Sequence, residues 1–492
     1  MTTFAESCGV QDTHRQNISE RILRQVQTTG VELIRVGWCD LHGVVRSKTI
    51  VASSLQRAFD DGIGMVSTLL LKDTSDRTAF EVFSPGGTDS LPGFAQGNNV
   101  LLLPDPESYL ELPWAESTGW LRAQPWFVDG SPVELDTRRV LQGAIENLTR
   151  QGMSMQCGLE VEFHIYKIED TTAQMNPELA QWPGDAPQVS MIHPGYGLLN
   201  ESWFDMAEPA LRIVQNTAQA LGLPLTSLEV EMGPSQVEAV FDVTDALTAA
   251  DNMVLFRNSV KQALRRAGFH ATFMCRPPFP NIMSSGWHLH QSMVDLTSGR
   301  NLFQRTSPAP GSTALDASHS ISDLGEHYLA GLLEHARGMT VFCTPTTNGF
   351  GRFSSKALAP QSALWGRDNR GAMLRVIGQC GDASTRIENR LGESGANPYL
   401  YMASQIYAGL DGIERKLRAP SATQDPYNRS AQQLPSSLGE ALIALAEDTV
   451  LASQFGHHFI AYYNTVKSAE AHRFEQAKDK INFQRREYFS RI

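Results

Sequence analysis

The stretch GLEVEF, Gly158–Phe163, sets two carboxylates, Glu160 and Glu162, two residues apart between Leu159, Val161 and Phe163. In an extended strand residues i and i+2 share a face, so both acids point one way and the apolar residues the other. Two like charges crowded onto one face need a neutralising partner.

The pattern recurs three times. LEVEMGPSQVE (228–238) sets Glu229 and Glu231 two apart, with Glu238 beyond a Gly-Pro turn. GWHLHQS (286–292) puts His288 and His290 on one strand face, and TRIENRL (385–391) does the same for Arg386, Glu388 and Arg390. Each has an ordinary reading when taken singly, since charges alternate with core residues on many solvated strands. Four strands with the same device read differently, because a curved sheet brings their polar faces together. Carboxylates with one or two histidines and no cysteine suit a hard divalent cation, Mg²⁺ or Mn²⁺, better than zinc. The surplus of acids points to more than one ion.

Cationic side chains follow in NGFGRFSSKALAPQSALWGRDNRGAMLRVIG (348–378), where Arg352, Arg367, Arg370 and Arg375 fall within a short span. Arginine grips carboxylates and phosphates through two parallel hydrogen bonds. Salt bridges on a solvated face are the plain alternative. Acids that hold metals beside clustered arginines fit phosphoryl transfer, where positioning and charge stabilisation dominate. Neither a GxxxxGK[ST] loop nor a kinase glycine loop is present.

Composition narrows the class. The chain has 492 residues, a net charge of −12 and no basic run, which argues against a nucleic-acid groove. No apolar run reaches the roughly 18 residues of a membrane span, and the polar N-terminal stretch does not read as a secretory signal. Six scattered cysteines form no CxxC pair, so reduced thiols and a cytoplasmic location are expected.

Along the chain, residues 17–130 are rich in β-formers and turns and read as a small mixed domain. LDTRRVLQGAIENLTRQGM reads as an amphipathic helix capped by Asp136 or Thr137, with Gly152 ending it. A second helix covers MAEPALRIVQNTAQALG. LTSLEVEMGPSQVEAVFDV reads as two strands around a turn at Gly233-Pro234. The stretch 451–489 reads as one long amphipathic helical segment, and RAPSATQDPYNRSAQQLPSS as an exposed loop.

These motifs, in this order and at these spacings, resemble the glutamine synthetase family over most of the chain. The likeness runs from VGWCDLHGVVRSK through GLEVEF, EMGPSQVE, GWHLHQS, NGFGRF and WGRDNRGAMLRV to RIENRLGESGANPYLYMA and HFIAYYNTVKSAE. It implies an α+β fold: an N-terminal β-grasp domain (17–130), then a catalytic domain (131–492) whose curved antiparallel sheet forms a funnel flanked by helices. It also implies a homo-oligomeric ring, a dodecamer of two stacked hexamers, with each active site between two subunits.

Roles follow from the same resemblance. Glu162, Glu231 and Glu238 match the ligands of one metal, and Glu160, His288 and Glu388 those of a second, with two or three Mg²⁺ or Mn²⁺ ions per site. Arg352 and Arg390 match the arginines that hold L-glutamate, with Glu162 and Ser284 beside it. Arg370 and Arg375 match those on the ATP phosphates, and His290 and Ser292 match nucleotide contacts. Asp40 matches an acid lent by the neighbouring subunit to the amine site. The chemistry implied is formation of γ-glutamyl phosphate, then attack by an amine.

Two departures bear on the substrates. Ammonia-using members carry a glutamate two residues before the proline of the flap. Here the flap reads RFSSKALAP and that position is Leu358. An aliphatic side chain disfavours a buried ammonium and favours apolar surface. The expected acceptor is therefore a hydrophobic primary amine, with an aromatic amine such as aniline favoured over an alkylamine. The flap can also shift so that Lys356 or another residue replaces the glutamate. Met283-Ser284 replaces the Asn-Gly that contacts the glutamate amino group. The alternatives are a γ-glutamylpolyamine synthetase, a glutamine synthetase using ammonia, and a non-enzymatic descendant, the last opposed by the intact ligand set.

Overall fold

The computed structural model describes residues 2–354, 359–428 and 431–492. Leu358 and Lys356 lie outside the described residues. Two sheets organise the chain. The first pairs strands Leu33–Cys39, Val45–Val51, Ile63–Val66, Asn99–Pro104, Leu110–Glu111 and Thr118–Phe127. Helix Thr13–Thr29 packs on it, its N-terminus capped by Asp12 and its end turned by Gly30 at φ +71°.

The second sheet carries the motifs. Its spine is the strand Met153–Asp170, long enough to pair with four others. Gln236–Asp245 lies on one edge of it and Gly286–Asp295 on the other, both antiparallel. Leu225–Val230 extends the sheet beyond the first, and Arg386–Glu393 then Leu374–Ile377 beyond the second. The sheet curls into a half-barrel with helices on its outer face, as expected. A short strand, Trp365–Arg367, pairs parallel to its neighbour and breaks the antiparallel rule at the rim.

Alternation drives this arrangement. Leu159, Val161 and Phe163 are fully buried against helix Ala246–Arg266, where Phe163 meets Phe256 edge-on. Trp287, beside His288, also points to the core and packs edge-on against Tyr401. Helix Thr137–Arg150 starts at Asp136, which accepts the Arg138 N–H, and Gly152 follows at φ +75°. The chain reverses there into the spine, and only glycine takes that backbone freely. Helix Glu201–Ala220 starts ahead of its apolar stripe because Asn200 caps it.

The C-terminal stretch departs from the expected single helix. It breaks into Thr449–Phe455, His457–Gln476 and Lys480–Gln484, followed by a π turn at Arg485–Phe489. Gly456, at φ +89°, makes the first break, and Asp479 caps the short helix after the second. All six cysteines are free. Among the described residues no helix is long and apolar enough to cross a membrane.

Candidate active site

The ionisable pairs meet in register on the concave face. Glu162 stands across from Glu238, and Glu160 across from His288 on the other side of the spine. Glu238 also faces Glu229, and Glu388 faces both His290 and Arg375. Glu231 follows the end of its strand, where its N–H donates to the Gln236 carbonyl at 3.0 Å.

These side chains open onto a cavity of about 560 Å³. It is lined by Glu160, Glu162, Glu231, Glu238 and His288, with Ser284, Arg352, Arg370, Arg375 and Arg390 around them. A second cavity, of about 520 Å³, shares Glu160 and contains His290, Ser292 and Arg386. Glu388 is buried and ion-paired to Arg390 and, at 3.0 Å, to Arg375. Asp40 lines neither cavity. Its Oδ1 accepts the N–H groups of His42 and Val44, and its Oδ2 accepts Arg46 Nε at 2.8 Å.

Charge in the cavity is unevenly shared. Burial and the neighbouring Glu231 push the Glu162 carboxyl up to about 7. Burial and repulsion from Glu162 and Glu231 push Glu238 up to about 10. Burial also raises Glu160, but hydrogen bonds from His288 and His290 outweigh it and hold that group well below the usual carboxylate range. His288 itself is pushed down to about 4, by burial first and Arg390 second, so it is neutral near pH 7. Its Nδ1 donates to Glu160 Oε2 at 3.3 Å. That leaves the Nε2 lone pair free.

Among the buried atoms that lack hydrogen bonds are Arg390 Nε and two candidate metal donors, Glu238 Oε1 and His288 Nε2. The latter stands 3.9 Å from Glu162 Oε1, beyond hydrogen-bond range. A neutral imidazole nitrogen and crowded carboxylate oxygens are the donors a hard divalent cation takes. Glu160, Glu238 and His288 bring one donor atom each within 4.8 Å of one another, and so do Glu160, His290 and Glu388. Both groups use Glu160. Among the described residues, Glu162, Glu231 and Glu238 do not form such a group alone.

Several neighbours complete the site, some of them not singled out from the sequence. Gln236 donates to Glu162 Oε2 at 2.9 Å and to the Ser284 carbonyl, tying the spine to the Met283-Ser284 segment. It sits two residues before Glu238, so the same alternation reveals it. The Gly286 N–H also donates to Glu162 Oε2 at 2.9 Å. Arg386 Nε donates to His290 Nδ1 at 3.1 Å, which makes Nε2 the donor to Glu160. Leu198, Leu199, Met232 and Met283 line the acid end of the cavity. The leucine pair of GLL, in a Gly/Pro/Asn loop, was the one sequence signal for Leu198 and Leu199.

The sequence matches the family described as glutamine synthetase, catalytic domain, over residues 134–486. It is similar to the γ-glutamylanilide synthase of Acinetobacter sp, with 38% identity over 473 residues, 94% of this chain and 92% of that protein. It is also similar to the glutamine synthetase of Thermus thermophilus, with 30% identity over 459 residues, 91% and 94% of the two chains. Among solved structures, one described as apo GmaS without ligand superposes with a TM-score of 0.75 at 27% identity, covering 93% of this chain and 97% of that one.

Proposed function

The chain belongs to the glutamine synthetase family, and from that membership we propose that it is an ATP-dependent ligase joining the γ-carboxylate of L-glutamate to a hydrophobic primary amine, an aromatic amine such as aniline favoured. The observation that carries this reading is the single cavity in which four arginines face the carboxylate–histidine cluster. Arg352 and Arg390 hold the two carboxylates of glutamate, and Arg370 and Arg375 receive the ATP phosphates. His290 and Ser292 line the adjoining cavity for the nucleotide. Glu160, Glu162, Glu231, Glu238, His288 and Glu388 supply the metal ligands. Divalent cations bound there would spread the charge of the transferring phosphoryl group.

The steps balance as an acyl transfer. A γ-carboxylate oxygen attacks the terminal phosphorus, the bond to the bridging oxygen breaks, and ADP leaves. The amine nitrogen then attacks the γ-carbon of γ-glutamyl phosphate. The carbon–oxygen bond to phosphate breaks, and the spare N–H proton leaves with the phosphate. Arg370 steadies the charge on the moving group from its exposed place at the rim. The same reading divides the chain into domains at 130/131 and places it in a homo-oligomeric ring. Asp40 stands in it as the acid lent by the neighbouring subunit to the amine site, its carboxylate oriented by the His42 and Val44 N–H groups and Arg46 and its carbonyl held by Asn397 Nδ2 at 3.0 Å.

A second reading has one observation in its favour. Glu229 lines the acid end of the cavity, and a spare carboxylate suits the far cation of a polyamine. Phosphate release with glutamate, ATP, Mg²⁺ and a panel of aniline, isopropylamine, putrescine and ammonia decides between them. Aniline is expected to give the highest kcat/KM. A putrescine preference replaces this reading with the polyamine one, and a wide preference for ammonia makes the protein a glutamine synthetase.

A further inference from the structure

Three walls of the cavity differ in chemistry. Arg352 and Arg390 stand on the side of strands Gly286–Asp295 and Arg386–Glu393. Towards the second cavity lie Glu160 and, beyond it, His290, Ser292 and Arg386. The remaining wall, at the turn between Leu225–Val230 and Gln236–Asp245, is lined by no cation among the described residues. It carries Glu229, Glu231, Leu198, Leu199, Met232 and Met283. Anionic glutamate and nucleotide belong at the cationic walls, so the third wall is left for a group that is neutral or positive and partly apolar.

That wall is built and held. Leu198, Leu199 and Met232 are 51%, 63% and 41% exposed, high values for large apolar side chains beside a charged site. Leu199 sits at φ +54° and Tyr196 at φ +56°, where a non-glycine residue is strained. The strain is countered by hydrogen bonds to the turn. Leu199 N–H donates to the Val230 carbonyl at 3.1 Å, and Tyr196 N–H to the Met232 carbonyl at 2.7 Å. The Tyr196 hydroxyl donates to the Asn281 carbonyl. Gly195, at φ +73°, lies so close to Pro234 that a Cβ would meet its nitrogen at 2.3 Å. The loop is therefore clamped to the turn that precedes Glu238.

We infer that Leu198, Leu199 and Met232 form the specificity wall of the acceptor site, which holds the apolar body of the amine while its nitrogen faces Glu231 and the γ-carbon. The inference rests on the ligase reading above and adds to Leu358 a second, independent source of preference for an apolar amine. A flat aromatic ring fits such a wall of two leucines and a methionine, since methionine sulfur and aliphatic carbon both pack well on ring surfaces.

The test compares kcat/KM for aniline and ammonia in the full-length enzyme and in Leu198→Ala, Met232→Ala and Leu199→Asn. Asparagine tolerates the left-handed backbone of Leu199, so that variant removes apolar surface without disturbing the loop. Circular dichroism checks that each variant folds. The aniline-to-ammonia ratio is expected to fall about tenfold in each, the scale of one lost apolar contact in a binding pocket. Turnover in all three variants with an unchanged ratio overturns the inference and leaves the ligase reading standing. No turnover by the unsubstituted enzyme with any amine overturns both.

Discussion

Glu238 stands directly across from Glu162 in the antiparallel register of two adjacent strands, with Glu231 a turn away. Both facing carboxyls are pushed upward, Glu162 to about 7 and Glu238 to about 10. Such a pair is stable in the charged form only beside a cation. The Glu238→Gln variant therefore keeps its fold and binds Mn²⁺ more weakly, by at least the 10- to 100-fold, or about that, seen when mere outer-sphere partners of a metal are removed. Isothermal titration with Mn²⁺ checks it. An unchanged affinity removes Glu238 from the ligand set.

Arg352 donates through Nη1 to the carbonyls of Arg390 and Gly392, at 3.1 and 2.9 Å, which fixes the plane of its guanidinium. A lysine has the charge but not the planar fork. Arg352→Lys is expected to raise KM for glutamate about 10- to 100-fold, the loss of one charge-assisted hydrogen bond. KM for ATP should change far less. Equal effects on both substrates would move Arg352 out of the glutamate subsite.

His335 joins two helices. Its Nε2 lies 2.9 Å from Asp411 and its Nδ1 2.8 Å from Asp448. Burial alone would lower its pKa, but the hydrogen bonds to Asp448 and Asp411 outweigh burial and raise it above the ordinary value. A raised folded value means that this contribution to stability is complete below the unfolded value, about 6.5, and is lost as pH rises through the raised one. His335→Gln should lower the unfolding free energy, read by urea denaturation, most at mildly acid pH, by on the order of 1–3 kcal/mol for the unpaired acids it leaves. The gap to the unsubstituted protein should narrow as pH rises, and a gap independent of pH refutes the charge argument.

What was legible in the sequence followed from period. Strand alternation announced that Glu160 and Glu162 share a face with Glu238, His288 and Glu388, because a two-residue repeat survives any sheet curvature. The Gly152 stop was legible for the same local reason. Grouping was not. Whether Glu160 clusters with His288 or with His290 depends on inter-strand stagger, and it clusters with both. The local partners of Asp40 were not legible either, because they are backbone N–H groups and Arg46, six residues on. Leu198 and Leu199 sit in a loop without period, and only the turn at Gly233-Pro234 gives them a place.

The flap residue Leu358 carries the remaining prediction. A carboxylate there would favour a cationic acceptor and help it lose a proton, whereas leucine offers only apolar surface. Aniline is largely neutral at pH 7 and does not need that help, but ammonia is almost wholly ammonium and does. Leu358→Glu should therefore raise kcat/KM for ammonia and lower it for aniline, with a swing in their ratio of about tenfold or more, equivalent to about 1.4 kcal/mol. Because the flap residue and the Leu198–Leu199 wall belong to different segments, the variant should respond to ammonia even where Leu198→Ala does not. Steady-state phosphate release at saturating glutamate and ATP measures both ratios. A Leu358→Glu enzyme with the same ratio as the unsubstituted one means that acceptor choice is set elsewhere, and the clamped wall becomes its sole structural source.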